Sequence, residues 1–389
     1  MRIALVTHKF TRGDGQGRVN YEIARAALSA GHEVWLLASE IAPDLAALCN
    51  AHVVSFSVEG WPSRLVKNQV FALKSALWLA RNRERLDVVH VNGFITWRKS
   101  DINTAHFVHG AWLQSPVHTW RLKRDWYGLY QLLFSKVNFW LERRAYRSSS
   151  IVVAVSEQVR RELLSEGVAR ETIQVIPNGV DLDEFFPGAA DRQALGIPQG
   201  LVLLFVGEIR TPRKNLDTLL RALRDVPEAV LCVVGDVAQS PYPAMARRLG
   251  VSDRVMFLGY RSDVAELMRA ADLFVFPSRY EACSLVLLEA MASGLPVVAA
   301  SSTGGTELLT PECSVLIGDA DSEKELSEAL RLLAGDPAGR ARMAAAAASL
   351  AHRHSWARMA ERYLRVYEEC GAGRLAPLIQ GQQEAGRPR

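Results

Sequence analysis

The chain is 389 residues long, 49% apolar and 23% charged, proportions that exclude collagen, coiled coil and disorder and, at roughly 100–200 residues per domain, predict two or three domains. Its five cysteines, Cys49, Cys232, Cys283, Cys313 and Cys370, are odd in number, far apart and without any CxxC pair, which argues against a disulfide scaffold or a structural zinc site. The net charge is only +4, and neither the amino-terminal MRIALVTHKF nor any apolar run of about 18 residues marks a signal or spanning segment; a cytoplasmic, non-spanning protein is expected.

Short runs rich in Val, Ile and Leu alternate with helical stretches, the pattern of parallel βαβ units. In the first half the predicted strands are RIALVT from Arg2, EVWLLA from Glu33, DVVHVN from Asp87, TAHFVH from Thr104, IVVAVS from Ile151 and IQVIPN from Ile173. The first is followed by a glycine cluster, Gly13, Gly15 and Gly17, that leads into a helix stopping at Gly31. Such glycines let amides approach a phosphate at a helix start, though a tight structural turn needs them as well. The dinucleotide fingerprint fails because Arg18 stands where its third glycine belongs, which removes the main support for a dehydrogenase.

Charge is unevenly distributed along the chain. Residues 1–180 sum to +8 and 181–389 to −4, and between Trp61 and Arg147 fifteen Lys/Arg face five Asp/Glu. Eight of the nine tryptophans precede residue 141. Solvated helix faces with core tryptophans would produce this pattern, and so would a surface resting on anionic lipid. Nucleic acid is not expected, since no RNP, KH or zinc-finger pattern accompanies the basic stretch.

The segment GVDLDEFFPGAADRQALGIPQG has linker composition, so a first domain of 1–186 and a second of 187–354 are predicted. The second half has strands LVLLFVG from Leu201, AVLCVVG from Ala229, RVMFLG from Arg254, LFVFPS from Leu273 and PVVAAS from Pro296. The tail 371–389 has no helical or strand period and is expected to be disordered. The class is therefore α/β, two doubly wound Rossmann-like domains facing a cleft, with ligands beyond the carboxyl ends of the strands.

Two loops of the second half carry candidate chemistry. After the strand at Leu201, Arg210, Arg213 and Lys214 cluster before a helix that Asn215 can cap. A helix start disfavours cations, so an anion between them and the helix would account for their placement. In SRYEACSLVLLEAMASGLPVV, Ser284 is a natural N-cap, Leu285–Ser293 reads as a short apolar helix, and Gly294 and Pro296 end it. The amides of Leu285 and Val286 would be unpaired donors suited to a diphosphate. Glu281 and Glu289 flank that site, where one carboxylate can accept from sugar hydroxyls and the other from ribose hydroxyls; a helix-start charge and a surface residue are the plainer reading of the pair.

With its RVNYEIARAALSAGHEV, AVSEQVRRELLSEGV, VIPNGVDLDEFFP, LLFVGEIRTPRKNLDTLL, ADLFVFPSRYEACSLVLLEAMASGLPVVAASSTGGTELL and SWARMAERYLRVYEE, the chain to about Glu369 resembles the retaining glycosyltransferases of family 4, with the GT-B fold and an E-x7-E motif at Glu281 and Glu289. The resemblance implies that a sugar passes from a UDP- or GDP-sugar to an acceptor hydroxyl with retention. Glu281 would hold the donor sugar and Glu289 the ribose; Lys214, with Arg213, would neutralise the leaving diphosphate. The amides of Leu285 and Val286, together with Gly15 to Gly17, would meet phosphate, and Tyr260 and Arg261 would border the base. His109 matches a histidine that approaches the donor sugar, whereas His90, His106 and His118 are read as structural. The helix 355–369 would return to the first domain, and closure of the two domains would build the site. No cofactor or metal is expected, the nucleotide sugar being a substrate.

Two departures from the family pattern stand out. Glu208 occupies a position that is usually basic, so Arg210 or Arg213 must supply the second positive charge, and Cys283-Ser284 replaces a Phe-Gly or Pro-Gly pair. A nucleotide-sugar epimerase on this fold and a catalytically idle membrane scaffold are the rival readings. The expected acceptor is a lipid-linked or cell-envelope glycan, met with peripheral contact of 61–147 on the cytoplasmic face of an anionic membrane.

Overall fold

The computed structural model describes residues 1–385, with side chains to residue 372. The chain forms two compact units: Met1–Val155, Val159–Asn178 and Trp356–Arg389 make the first, and Ser156–Gln158 with Gly179–Ser355 the second. The division after Asn178 precedes Pro187, where the linker composition is most pronounced.

In the first unit, strands β1 (Arg2–Val6), β2 (Glu33–Ala38), β3 (Ala51–Ser55), β4 (Val88–Asn92), β5 (Ile102–Ala105), β6 (Ile151–Ala154) and β7 (Ile173–Val175) form one parallel sheet in the order β3-β2-β1-β4-β5-β6-β7. A two-residue ladder pairs Lys9–Phe10 with Glu40–Ile41 beside it. The helices that matter below are α1 (Gly15–Ser29), α2 (Arg64–Asn82), α3 (His109–Gln114) and α4 (Trp126–Ser148). In the second unit, β8 (Leu201–Val206), β9 (Ala229–Val234), β10 (Val255–Gly259), β11 (Leu273–Phe276), β12 (Val297–Ala300) and β13 (Ser314–Ile317) are parallel in the order β10-β9-β8-β11-β12-β13. Helix α5 (Leu216–Ala222) follows β8 and α6 (Leu285–Ala292) follows β11.

In both sheets the strand order reverses once, between β1 and β4 and between β8 and β11, and ligands of such sheets sit beyond the strand ends at that point. The central strands read as unbroken apolar runs because helices cover both faces: Val202 to Phe205 and Leu273 to Phe276 are fully buried. Two edge strands lie outside the predicted set. Ala51–Ser55 is half exposed and Ser314–Ile317 is buried only at its two ends, so neither has the continuous buried apolar run that marks the centre of the sheet.

The long helix α7 (Trp356–Ala385) belongs to the first unit. Tyr367 donates or accepts at 2.8 Å with Nδ1 of His90, whose Nε2 meets the Thr104 hydroxyl at 2.8 Å, and Tyr363 reaches the same hydroxyl at 3.3 Å. This buried polar cluster fixes α7 on β4 and β5 and gives His90 a structural place. The helical backbone continues past Gly371 into the stretch expected to be disordered, since extending an existing helix needs no new nucleus. Residues 386–389 lie outside the described residues. Among the described residues no helix is long and apolar enough to cross a membrane.

Candidate functional site

At the reversal point of the second unit, the loop after β8 meets the loop after β11. Pro212–Lys214 forms a single 3-10 turn, and Asn215 follows in the left-handed region at φ 63°. Such a turn aims consecutive side chains in different directions, and the second loop holds it in place. The Arg279 amide donates to the Arg213 carbonyl at 2.9 Å, the Ser278 hydroxyl donates to the same carbonyl at 3.2 Å, and Asn215 Nδ2 donates to the carbonyls of Pro277 and Ala320 at 2.9 and 2.5 Å. Arg279 completes the clamp through Asp217 at 2.8 Å and Asp321 at 2.6 Å.

This framework brings together three residues singled out in the sequence. Lys214 Nζ lies 2.5 Å and Arg213 Nη1 2.8 Å from the same Glu281 oxygen. Lys214 is buried, its ammonium 4.8 Å from the centre of the Phe276 ring. Burial pulls the Lys214 pKa down, and the Glu281 carboxylate works against that shift. The anion expected beside these cations is thus, within the protein, Glu281 itself. A carboxylate shared by two cations neutralises one charge and leaves the other available to a second anion.

Arg210 is not part of this cluster. It pairs with Glu208 at 3.6 Å and Asp236 at 3.5 Å, while Glu208 also accepts from the Arg210 amide and the Thr211 hydroxyl, both at 2.5 Å. Of the two candidates for the second positive charge, Arg213 is the one beside Lys214. The acid at position 208 neutralises its own loop.

Helix α6 starts beside the cluster. A parallel bridge joins Glu281 to Thr303, the Gly304 amide donates to the Glu281 carbonyl at 3.0 Å, and the Ser284 amide donates to the Gly304 carbonyl at 3.1 Å. Gly304 carries no expectation from sequence, although the paired glycines of STGG are the signal of a close backbone approach. A β-carbon there would lie 2.0 Å from the Ala282 carbonyl oxygen. Leu285 and Val286 are the first two helical residues, whose amides have no intrahelical acceptor. With Glu289, three and four positions further on, they form the half-exposed side of a helix whose other residues are buried. Gly294 adopts φ 73° just past the helix.

The N-cap expectation for Ser284 holds in position but not in its hydrogen bond. Ser284 does hold the N-cap position, in the extended backbone usual there, but its hydroxyl makes no capping bond and is buried without a hydrogen-bond partner. Cys283 is half-buried and in no disulfide among the described residues. At the end of β10, Tyr260 is 84% exposed and Arg261 is engaged by Asp263, 2.7 Å from its Nε.

In the first unit Gly15 opens α1, but the Gly17 amide is already taken by the Asp14 carboxylate at 2.8 Å. A β-carbon at Gly17 would come 2.7 Å from the Thr11 hydroxyl. The glycine is explained by packing, and its amide is not a free donor as expected. His109 opens α3, and one carboxylate holds it twice: Glu142 accepts from the His109 amide at 3.1 Å and lies 2.8 Å from Nδ1. His118 is buried on the Ser135 hydroxyl at 3.1 Å, and His106 meets the Asn92 side-chain oxygen at 3.1 Å.

Comparison with known proteins gives the family and the fold. Residues 13–184 match the Glycosyltransferase Family 4 model and residues 189–350 the Glycosyl transferases group 1 model. A GDP-mannose-dependent monoacylated alpha-(1-6)-phosphatidylinositol monomannoside mannosyltransferase of Corynebacterium glutamicum is 33% identical over 239 residues, 56% of this chain and 62% of that protein. The lipopolysaccharide glucosyltransferase WaaG of Escherichia coli is 32% identical over 197 residues, 48% of this chain and 53% of that protein. The matched region thus spans little more than half the length of these relatives. In fold, sucrose-phosphate synthase of Thermosynechococcus elongatus superposes with a TM-score of 0.78 at 21% identity, covering 96% of this chain and 99% of that one. The crystal structure of WaaG gives 0.74 at 23%, covering 93% and 98%. Two parallel sheets of one strand order, the cluster at Glu281 and two adjoining family matches place the chain among the family 4 glycosyltransferases of GT-B fold.

Proposed function

We propose that the protein transfers a hexose from a nucleoside diphosphate-sugar to an acceptor hydroxyl with retention at the anomeric carbon. The observation that carries this reading is the Lys214–Arg213–Glu281 cluster beside the unpaired first amides of α6. Sugar transfer is limited by departure of a diphosphate from an oxocarbenium-like centre, and fixed cations and amides stabilise the charge that develops on it. Lys214 and Arg213 meet the leaving phosphates, Glu281 accepts from the sugar hydroxyls, and Glu289 accepts from the ribose. His109, held by Glu142, presents its ring to the donor sugar. The related mannosyltransferase takes GDP-mannose by its name, and structures similar in fold contain UDP and UDP-glucose, so both nucleotides belong in the test.

Calorimetric titration of UDP, GDP and their sugar conjugates decides the donor. The expected result is selective binding of one nucleotide, weakened at least about tenfold by Lys214→Ala and Glu289→Ala and within about threefold of wild type in Arg210→Gln. Absence of nucleotide binding by the folded protein would favour the idle scaffold. Donor conversion without any acceptor would favour the epimerase, and the anomer formed, read by NMR, tests retention.

A second observation bears on the acceptor. The exposed stripe of α4 is Trp126, Leu129, Leu133, Lys136, Trp140, Arg144 and Arg147, spaced three and four apart, and the only acid of that helix, Glu142, is buried. An apolar and cationic stripe without acids suits an anionic bilayer surface. It supports a lipid-linked or envelope-glycan acceptor met at the membrane face.

A further inference from the structure

Behind His109 lies a second carboxyl group that the transfer chemistry leaves unused. Glu166 follows the helix Glu157–Ser165 and is 7% exposed, and neither of its side-chain oxygens makes a hydrogen bond. Burying an acid without a partner is costly, yet two glycines make room for this one. A β-carbon on Gly110 would lie 1.9 Å from its Oε1 and 2.9 Å from the Phe139 ring, and one on Gly167, at φ 77°, would lie 2.2 Å from the Arg147 guanidinium. That guanidinium donates to the Glu166 carbonyl at 2.9 Å, and Arg143 Nε donates to the same oxygen at 3.1 Å. The backbone of Glu166 is thus fastened to α4 while its carboxyl presses on the second residue of α3.

Two buried carboxyls therefore grip the start of one short helix. Glu142 accepts from the His109 amide and lies 2.8 Å from the His109 ring nitrogen, and Glu166 abuts the next residue. The groups facing Glu166 are Glu142 and Arg143 of α4, with Arg147 on its carbonyl, Glu162 of its own helix, and His109, the only titratable side chain of α3. Burial first, then the Glu142 charge, raises the Glu166 pKa to about 7; Glu162 adds to the shift, and the nearby Gly110 amide and Arg143 oppose it. Around neutrality the group passes between an uncharged form that coexists with the Glu142 carboxylate and a charged form that repels it. Clamped through its carbonyl, Glu166 has little room to withdraw, so the repulsion falls on the carboxylate that holds His109.

We propose that Glu166 is a positioning residue for His109: uncharged, it lets Glu142 hold the amide and ring of His109 at the start of α3, and charged, it displaces Glu142 and loosens that hold. That His109 meets the donor sugar rests on the transfer reading; the coupling of the two carboxyls does not. On that reading transfer slows as pH rises through about 7.

The test follows the backbone amides of His109 and Gly110 by NMR in the full-length protein from about pH 5 to about pH 9. The expected result is a step near pH 7 in both signals. The step is lost in Glu166→Gln, persists in His109→Gln, which removes the ring's own titration, and moves to lower pH in Glu142→Gln, which removes the repelling charge. A second arm measures nucleotide release from UDP-glucose and GDP-mannose over the same range. There kcat should fall at least about threefold above about pH 7 in the wild type and hold in Glu166→Gln, with KM alike in the two. Absence of the step, or a step indifferent to Glu166→Gln or to Glu142→Gln, would overturn the proposal. So would release with one pH profile in wild type and Glu166→Gln. The expected step with no release from either donor would reject the transfer reading and leave the coupling standing.

Discussion

At the scale of single residues, charge is handled by sharing. Glu281 serves two cations, Glu142 holds both the amide and the ring of His109, and Glu208 quiets Arg210. Glu166 is the exception. Its carboxyl lies buried against Gly110, where a β-carbon would come 1.9 Å from Oε1, and neither oxygen has a hydrogen-bond partner. Burial, with the Glu142 charge nearby, raises its pKa to about 7. A raised carboxyl pKa means that the folded state holds a proton the unfolded chain releases near 4.5, so its stabilising effect is full below that pH and is lost as pH rises through about 7. Thermal unfolding from pH 5 to 8 should therefore show Glu166→Gln gaining on wild type as pH rises; parallel curves would contradict the assignment.

At the scale of elements, the site depends on loops that lock each other. The loop after β12 carries Gly304 under Glu281 and Ala282, and the turn at Pro212–Lys214 is held by Arg279 and Asn215. Gly304→Ala would put a methyl 2.0 Å from a backbone oxygen and must move the strand-like segment that presents Glu281. It should destabilise the protein by about 1–3 kcal/mol and weaken nucleotide binding together with it. Gly13→Ala, with open space around the added carbon, is the matched control and should do neither. Denaturant unfolding and calorimetry on both variants check this, and equal stability of the two would show that the contact relaxes freely.

On the scale of the molecule, the basic excess of the first half becomes a surface. Trp126 and Trp140 are 86% and 67% exposed, on the same helix face as Lys136, Arg144 and Arg147. Each cation near an anionic bilayer is worth about 1 kcal/mol at low salt. Flotation should recover the protein with phosphatidylglycerol vesicles at low ionic strength and lose it at high salt, with phosphatidylcholine alone, and in Trp126→Ser/Trp140→Ser. Equal flotation of that double variant would place the contact elsewhere.

The alternation of apolar runs and helices, the left-handed glycine after α6 and the cationic cluster at Arg210–Lys214 were legible in the sequence, because each rests on local periodicity, backbone preference or charge within a few residues. The half-exposed edge strands were not, since β-pairing rather than an apolar run defines them. Nor could the sequence decide between Arg210 and Arg213, or show that Gly17 packs against Thr11 while Gly304 supports α6. Those outcomes depend on which loops meet at the strand ends, and contacts such as Lys214 to Glu281 and Asn215 to Ala320 bring together residues far apart in the chain. The unpartnered Glu166 carboxyl is of the same kind. A charge can be counted from sequence, but only the folded neighbourhood shows whether it has a partner.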